Sequence, residues 1–501
     1  MPVLLLVGAK MDYSELLLSK YLESNSIVQH QIDTYNRFVE IDIQKVVDAN
    51  SLIEPSVEGF GLRLGKIRLE KPSVIEADSS RRTLLPNEAR LRNLTYAAPI
   101  FLEITPIIRG IEKKTDSGEV FVGELPVMVG SNLCHTTSMT KTQLIENGED
   151  PEDPGGYFII KGTERVLIGL EDLAPNRVIT TKEKDGSVTA KVFSTAPGFR
   201  ARTVVTRNIH GIYTVEFPTS KKGGVDLFTM LRVLGIESSD IINMASDLAS
   251  FRNDMLLNKE MSPAKDMSTN EALYELGAAS APGQAKEYQL KRAIMQIDTY
   301  LLPHLGTTAA ERTIKGKYLI QMARKACKVA NKLARQDDKD HYANRRVKFA
   351  GQLMEELFIY AFKFFVKDIK YQVERSSARG RKLNVPNIVS SDTLTEKIAY
   401  AMGTGTWVAG QTGVSQVLDR TNMISTYAHL RRVKSPLARK HPHFAAREVH
   451  GTQWGKICVS ETPEGQEVGL TKYLAITAKV SVGADEASLA AKLKELGVQK
   501  Q

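Results

Sequence analysis

Between Arg420 and Arg447 the chain places seven cations and no Asp or Glu: Arg420, Arg431, Arg432, Lys434, Arg439, Lys440 and Arg447. Like charges held this close repel one another unless an anion lies alongside. Nucleic-acid phosphate is such an anion, and contact with it also releases counterions. The alternative is a solvated basic loop. Pro436, Pro442, Phe444 and Trp454, within or beside the run, weigh against plain disorder. Just beyond lies Thr462-Pro463-Glu464-Gly465. Pro463 presets φ at the second turn position, and Gly465 tolerates a positive φ. Spacing alone leaves Glu461 and Glu464 equally open to salt bridging with nearby arginines and to positioning a ligand.

Other chemistries lack their parts. A two-metal centre needs clustered carboxylates holding ions about 4 Å apart. The nearest candidate, Asp337-Asp338-Lys339-Asp340, has a lysine inside it and follows a basic helix, which predicts surface salt bridges. His429, His441, His443 and His450 lack helical spacing and carboxylate support for a metal. Gly61–Lys66 (GLRLGK) is too short for a phosphate-binding loop. No nucleophile elbow or dinucleotide fingerprint is present. Three distant cysteines, Cys134, Cys327 and Cys458, cannot form a four-cysteine zinc site, and their sparse, odd number fits a reducing cytosol. The apolar run Pro2–Gly8 falls short of the roughly 20 residues that cross a membrane and reads as an edge strand or extension. The acidic, proline-containing stretch Glu146–Pro154 matches no calcium-loop spacing and reads as a solvated loop.

The elements that must position these residues follow from periodicity. At 501 residues, with 42% hydrophobic and 25% charged residues and a net charge of +9, the chain has room for about three soluble domains. Helical patterns run over 11–23 and 30–47, the first with Leu17, Leu18, Tyr21 and Leu22 on one face. From about residue 56 the texture alternates: FGLRLGKIRLEKP, PIFLEITPIIRG and EVFVGELPVMVG read as strands, and Tyr157–Ile160 with Arg165–Leu170 as a hairpin. Residues 178 to about 345 read as a separate α+β unit, with strands first and then helices over 225–234, 287–302 and 309–335. The last of these carries Leu319, Met322, Ala323, Ala326, Ala330 and Leu333 on its apolar face. A helix over 353–374 carries a wide apolar face that includes Tyr360, Phe364 and Phe365, read as core. Thr393 to Glu396 reads as a capping box opening a helix that stops at Gly403. Ser376–Pro386 and the tail after Ala484 are the candidate linkers.

Three strings then resemble one family closely: DPGGYFIIKGTERVLIGLEDLAPNR, DDKDHYANRRVKFAG, and the long segment from Gly413 through Leu470. All look like the front half of the second-largest subunit of multisubunit DNA-directed RNA polymerases. The sequence ends soon after Gly483, near the point where some archaea split that subunit, so the resemblance is closest to the first half, B double-prime. It implies a multidomain α+β fold of mixed helices and antiparallel sheets: a protrusion over 1–180 and 346–396, a lobe over 181–345, a fork over 397–478 and the start of an external region over 479–501. It implies that Gln416, Arg432, Arg439, Arg447 and His450 line the nucleic-acid path or the incoming nucleotide, and that Glu464 has a positioning role near the mobile loop closing over the nucleotide. It implies no cofactor bound by this chain, with Mg2+ held by the largest subunit of the assembled enzyme. The implied partners are the C-terminal half of the subunit (B prime), the other polymerase subunits, DNA template, RNA–DNA hybrid and nucleoside triphosphates, and no membrane. The rival expectation is a free-standing nucleic-acid-binding protein.

Overall fold

A computed structural model describes residues 13–57, 59–113, 117–196, 199–220, 223–265, 267–380, 383–439, 442–483 and 486–498. Lys440 and the run Pro2–Gly8 lie outside the described residues. The chain divides into two compact units: Met1–Glu171 with Val347–Gln501, and Asp172–Arg346. Among the described residues no helix is long and apolar enough to cross a membrane.

The first unit is built on an antiparallel sheet whose central strand, Ala97–Ile108, is flanked by Phe60–Leu69 and Gly118–Pro126. A bulge between Leu64 and Ile67 bends the edge of this pairing. Its Gly65 sits where a Cβ would come 2.8 Å from the Glu103 carboxylate. The helix Ala350–Ala378 supplies the other half of the core through Leu353, Met354, Leu357, Phe358, Ala361, Phe362, Phe365, Ile369 and Val373, a 3–4 spacing that keeps one stripe buried. Tyr360 and Phe364 are 40% and 37% exposed, so these two belong to the outer face, where the Lys397 ammonium lies 4.9 Å from the Phe364 ring; Phe358 and Phe362 take the core positions instead. Helix Gln29–Arg37 crosses the start of this long helix at Gly351, where a Cβ would stand 1.9 Å from the Thr34 carbonyl oxygen.

Other local expectations shift. The helix Asp392–Thr404 has no side-chain cap at its start and ends at Gly405 in the left-handed region, two residues beyond Gly403. The hairpin turn is tighter than read: Phe158–Ile160 and Thr163–Leu167 enclose only Lys161 and Gly162, at φ +48 and +74. Glu146 closes a short helix. Glu149 in the following loop is buried, accepting from the Asn87 N–H (2.6 Å) and Arg90 (3.2 Å), so the acidic stretch is partly a packed anchor. Within Ser376–Pro386, residues 376–378 end the long helix and 385–386 begin the short helix Val385–Ile388. Leu17 is 69% exposed on its helix.

The second unit is a five-stranded antiparallel meander, Ile179–Lys182, Val188–Ala196, Phe199–Arg207, Tyr213–Glu216 and Val225–Asp226, covered by helices. Helices Ser238–Met244, Ala249–Met261 and Thr269–Ser280 join those expected, because their faces are short and weakly patterned. The helix Arg312–Ala330 packs on the sheet through Leu319, Met322, Ala323 and Ala326. It ends before Leu333, which is 62% exposed. Lys315, on the same helix, is fully buried, its ammonium donating to the carbonyls of Ile297 (3.0 Å) and Asp298 (2.8 Å). Burial without a carboxylate partner lowers its pKa to about 8. Asp337 and Asp340 are salt-bridged to Lys325 and Arg345, as their interleaving with lysine predicted.

Candidate nucleic-acid interface

The strand Arg432–Lys434 pairs in parallel with Gly169–Leu173 and antiparallel with Thr471–Tyr473. Alternation along a strand buries Val433 and puts Arg432 and Lys434 together on the opposite, half-exposed face. On the core side the sheet is tied by an ion pair between Lys472 and Glu171, 3.0 Å apart and almost wholly buried. A second small sheet, Ser415–Val417 against Thr163–Leu167, fixes Gln416 opposite Val166.

These two edges meet around Gly413. A Cβ there, at φ +72, would lie 3.8 Å from Gln416 Nε2 and 4.0 Å from Lys434 Nζ. Gln416 Nε2 donates to Gly413 O (2.9 Å), and its Oε1 faces His429 Nε2 (3.1 Å). His429 Nδ1 accepts from the Asp419 N–H (3.1 Å), so Nε2 carries the proton and donates to Gln416. Burial, reinforced by Arg432, lowers the His429 pKa to about 4, keeping the ring neutral. The Arg432 guanidinium lies 5.5 Å from the Tyr473 ring, and its Nε donates to the Tyr473 hydroxyl (3.1 Å). Its Nη groups and Lys434 Nζ have no protein acceptor among the described residues. Burial lowers the Lys434 pKa, with Arg439 and Arg432 adding repulsion and Glu467 partly opposing it. Arg439 pairs with Glu467 at 2.6 Å. The result is a small cationic face made from Arg432, Lys434 and Arg439, with Gln416 held beside it.

The remaining cations of the run are committed elsewhere. Arg431 is buried, donating to the carbonyls of Ile27 (2.6 Å), Leu474 (3.2 Å) and Ala475. Arg420 is shared between Glu164 (2.7 Å) and Asp153 (2.9 Å) and lies over the Tyr157 ring. Arg447 donates to four backbone carbonyls, those of Pro442, Gln466, Val468 and Arg439, and so clips the basic loop to the turn after Glu464. His450 caps a short helical turn, its Nδ1 accepting from the Thr452 N–H (3.2 Å) and lying 2.7 Å from the Thr452 hydroxyl. Glu464 is exposed next to Gly465, whose φ is +79 and which opens the helical turn Gly465–Glu467, so Pro463 lies before that turn rather than at its second position.

One positioning residue had no signal in the run itself. Gln31 is buried, with Nε2 donating to Leu167 O (3.2 Å) and Leu430 O (3.1 Å), and Oε1 accepting from the Ala350 N–H (3.2 Å). One amide thus joins the strand that places Gln416, the helix that ends at the basic strand, and the start of the long core helix. A lone glutamine in a mixed helical pattern carries no such message; only the tertiary partners reveal it.

Among the described residues no three His, Cys, Asp or Glu side chains converge in a way that would hold a metal ion.

Comparison with known proteins fits this arrangement. A family model described as RNA polymerase beta subunit matches residues 26–396, and one described as RNA polymerase Rpb2, domain 3, matches 416–480. The chain belongs to the RNA polymerase beta subunit family. It is 47% identical to DNA-directed RNA polymerase subunit Rpo2N of Methanocaldococcus jannaschii, covering 96% of this chain and 98% of that one. It is 44% identical to subunit Rpo2N of Methanococcus vannielii, covering 97% and 99%. It is also 44% identical to subunit Rpo2 of Saccharolobus solfataricus, covering 96% of this chain but 43% of that longer one. Within this beta-type chain the matched domain 3 contains the whole cationic face, from Gln416 through Tyr473.

Proposed function

We propose that this chain serves as the N-terminal half of the second-largest subunit of a DNA-directed RNA polymerase, and that the face formed by Arg432, Lys434 and Arg439 meets nucleic-acid or nucleotide phosphate in the assembled enzyme. The relatives matched along nearly their whole length are named as polymerase subunits, and none supports a free-standing binding protein. The observation that carries the phosphate assignment is the pair of cations, Arg432 and Lys434, projecting from one strand face without a protein acceptor for Lys434 Nζ. Leaving such charges half-buried and unpaired costs free energy, which an incoming anion offsets.

The reaction is transfer of a nucleotidyl group: the RNA 3′ oxygen bonds to the α-phosphorus of a nucleoside triphosphate, and pyrophosphate leaves. Magnesium, which the family resemblance assigns to the largest subunit, would when bound supply activation of the 3′ hydroxyl and charge neutralisation. Glu467, the carboxylate beside the cationic face, is a poor ligand for it, being held by Arg439 (2.6 Å) and by Thr471 Oγ1 (3.1 Å). This chain contributes fixed positive charge and an oriented amide, Gln416, that help hold a phosphate-bearing chain or nucleotide in register. The protrusion (1–180 and 346–396), lobe (181–345), fork (397–478) and external-region (479–501) assignments belong to the same proposal. So do the partners: the C-terminal half of the subunit, the largest subunit, template, hybrid and nucleotides, in the cytoplasm.

Arg447 is a poor probe, because removing it would release four carbonyls and disturb the loop. The cleaner test is Lys434→Gln and Arg432→Gln in reconstituted polymerase. Each lowers elongation rate at limiting nucleotide by roughly 10-fold, as expected for one charge-assisted contact, with assembly intact. Unchanged elongation would refute the assignment.

A further inference from the structure

The cationic face already carries an anion, and the chain itself supplies it. Glu467 Oε1 lies 2.6 Å from the Arg439 guanidinium, and Glu467 Oε2 accepts from the Thr471 hydroxyl (3.1 Å). The same carboxylate opposes the repulsion that Arg439 and Arg432 exert on Lys434. We propose that Glu467 is a displaceable stand-in for phosphate: it occupies Arg439 while the face is empty, yields that arginine to an arriving phosphate, and thereby holds down the affinity of the face. The inference deepens the phosphate assignment above and rests on it.

A carboxylate and a phosphate offer a guanidinium the same thing, oxygens spaced to accept from its N–H donors. Exchange of one for the other is easy only where the internal pair is weak. The Arg439 and Glu467 side chains are 50% and 31% exposed, and an ion pair this open to water contributes little. The Lys472–Glu171 pair on the core side of the same sheet shows the contrast. At 8% and 0% exposure it is closed to any incoming ligand.

The turn that bears Glu467 does not depend on this pair for its shape. The Leu470 N–H donates to Glu467 O (3.0 Å). The Thr462 hydroxyl accepts from the Gly469 N–H (2.9 Å) and donates to Thr471 O (2.9 Å), closing the turn at its base. Arg447 grips Gln466 O and Val468 O, on either side of Glu467, both at 2.8 Å. Thr471 stands opposite Lys434 in the strand pairing, so the backbone alone delivers the carboxylate to the edge of the cationic face. With the frame fixed in this way, the Glu467 side chain is left to exchange. A phosphate meeting Arg432, Lys434 and Arg439 together engages three cations, whereas the ion pair of Glu467 among the described residues is with Arg439. The phosphate wins, but against a carboxylate that stays nearby and repels it. Such a contact lets go readily, which suits a polymerase whose strands advance by one nucleotide at each addition.

The test uses reconstituted polymerase stalled on a template–RNA scaffold and the variant Glu467→Gln, which removes the charge and keeps the shape. If the arriving phosphate belongs to a nucleic-acid strand, the half-life of the stalled complex at about 0.5 M KCl is expected to lengthen roughly 3-fold, the effect of losing one exposed ion-pair competitor. If it belongs to a nucleoside triphosphate, the apparent KM for nucleotide is expected to fall by the same factor, roughly 3-fold. Either gain supports the inference, and the arm in which it occurs names the source of the phosphate. Damage to the fold moves both quantities the other way. No gain in either arm, or a loss, overturns the inference. In an Arg439→Gln background the gain is expected to vanish; a gain of undiminished size there shows Glu467 acting as a diffuse charge and overturns it too. Arg432→Gln and Lys434→Gln in the same assays separate two failures. If they weaken the complex or raise KM while Glu467→Gln brings no gain, this inference falls and the phosphate assignment stands. If they change neither quantity, the phosphate assignment falls and takes this inference with it.

Discussion

Replacing Gln31 by Met tests whether one buried amide holds the interface in place. Methionine matches the length and volume of glutamine but can neither donate to Leu167 O and Leu430 O nor accept from the Ala350 N–H. Three buried backbone groups lose a partner. The Ala350 N–H is hit hardest, because it lies in the first turn of a helix, where no intrahelical acceptor exists. At roughly 1 to 2 kcal/mol for each group left unsatisfied, the loss is about 3 to 6 kcal/mol, a large share of a domain's stability. Gln31→Glu is worse, since it keeps the acceptor but adds a buried charge facing two carbonyls. The exposed neighbour Gln29, whose side-chain amide donates to Asp33 (2.6 Å), serves as control, with Gln29→Met within about 0.5 kcal/mol of wild type. Hydrogen exchange followed by mass spectrometry reads the effect locally: protection across Met423–Leu430 and Thr163–Leu167 falls together in Gln31→Met. If it falls in neither segment, or in only one, the amide is not the joint argued for here.

Three further outcomes follow from the same geometry. Gly351→Ala gains about 1 kcal/mol of helix propensity, yet its Cβ would stand 1.9 Å from a backbone oxygen; the clash wins, and the melting temperature falls by an amount corresponding to about 3 kcal/mol. Glu355 has its pKa raised to about 7, by burial first and then by Asp42 and Glu356. Its contribution is fully present below the unfolded value of about 4.5 and is lost as pH rises through 7. Glu355→Gln is therefore stabilising by about 1 to 3 kcal/mol at pH 8, with the difference vanishing toward pH 4.5 in urea titrations. His429, lowered to about 4, contributes stability that is present above its unfolded value near 6.5 and lost as pH falls toward 4. An NMR titration finds its ring neutral at pH 5.5, and a midpoint near 6.5 contradicts the tautomer that orients Gln416.

Much of this was legible from residue order. The strands of the first sheet announce themselves by alternation, and the positive charge of 420–447 marks the segment that holds the proposed interface. What composition could not do was divide that run. Arg431 and Arg432 are adjacent and chemically identical, but a helix end and a strand start send one guanidinium into the interior among carbonyls and the other to the surface. Arg420 and Arg447 are likewise spent on partners far away in sequence, such as Glu164 and Val468. Tyr360 and Phe364 misled for a related reason: a wide apolar face on a 29-residue helix exceeds what one sheet can cover, so its edges remain outside.

The most direct measurement places a photo-crosslinking amino acid at position 434 in a reconstituted, stalled elongation complex. If the face formed by Arg432, Lys434 and Arg439 meets phosphate, irradiation yields an adduct with template, transcript or nucleotide in a complex that still extends its RNA. An active complex in which position 434 crosslinks only to protein would contradict the account.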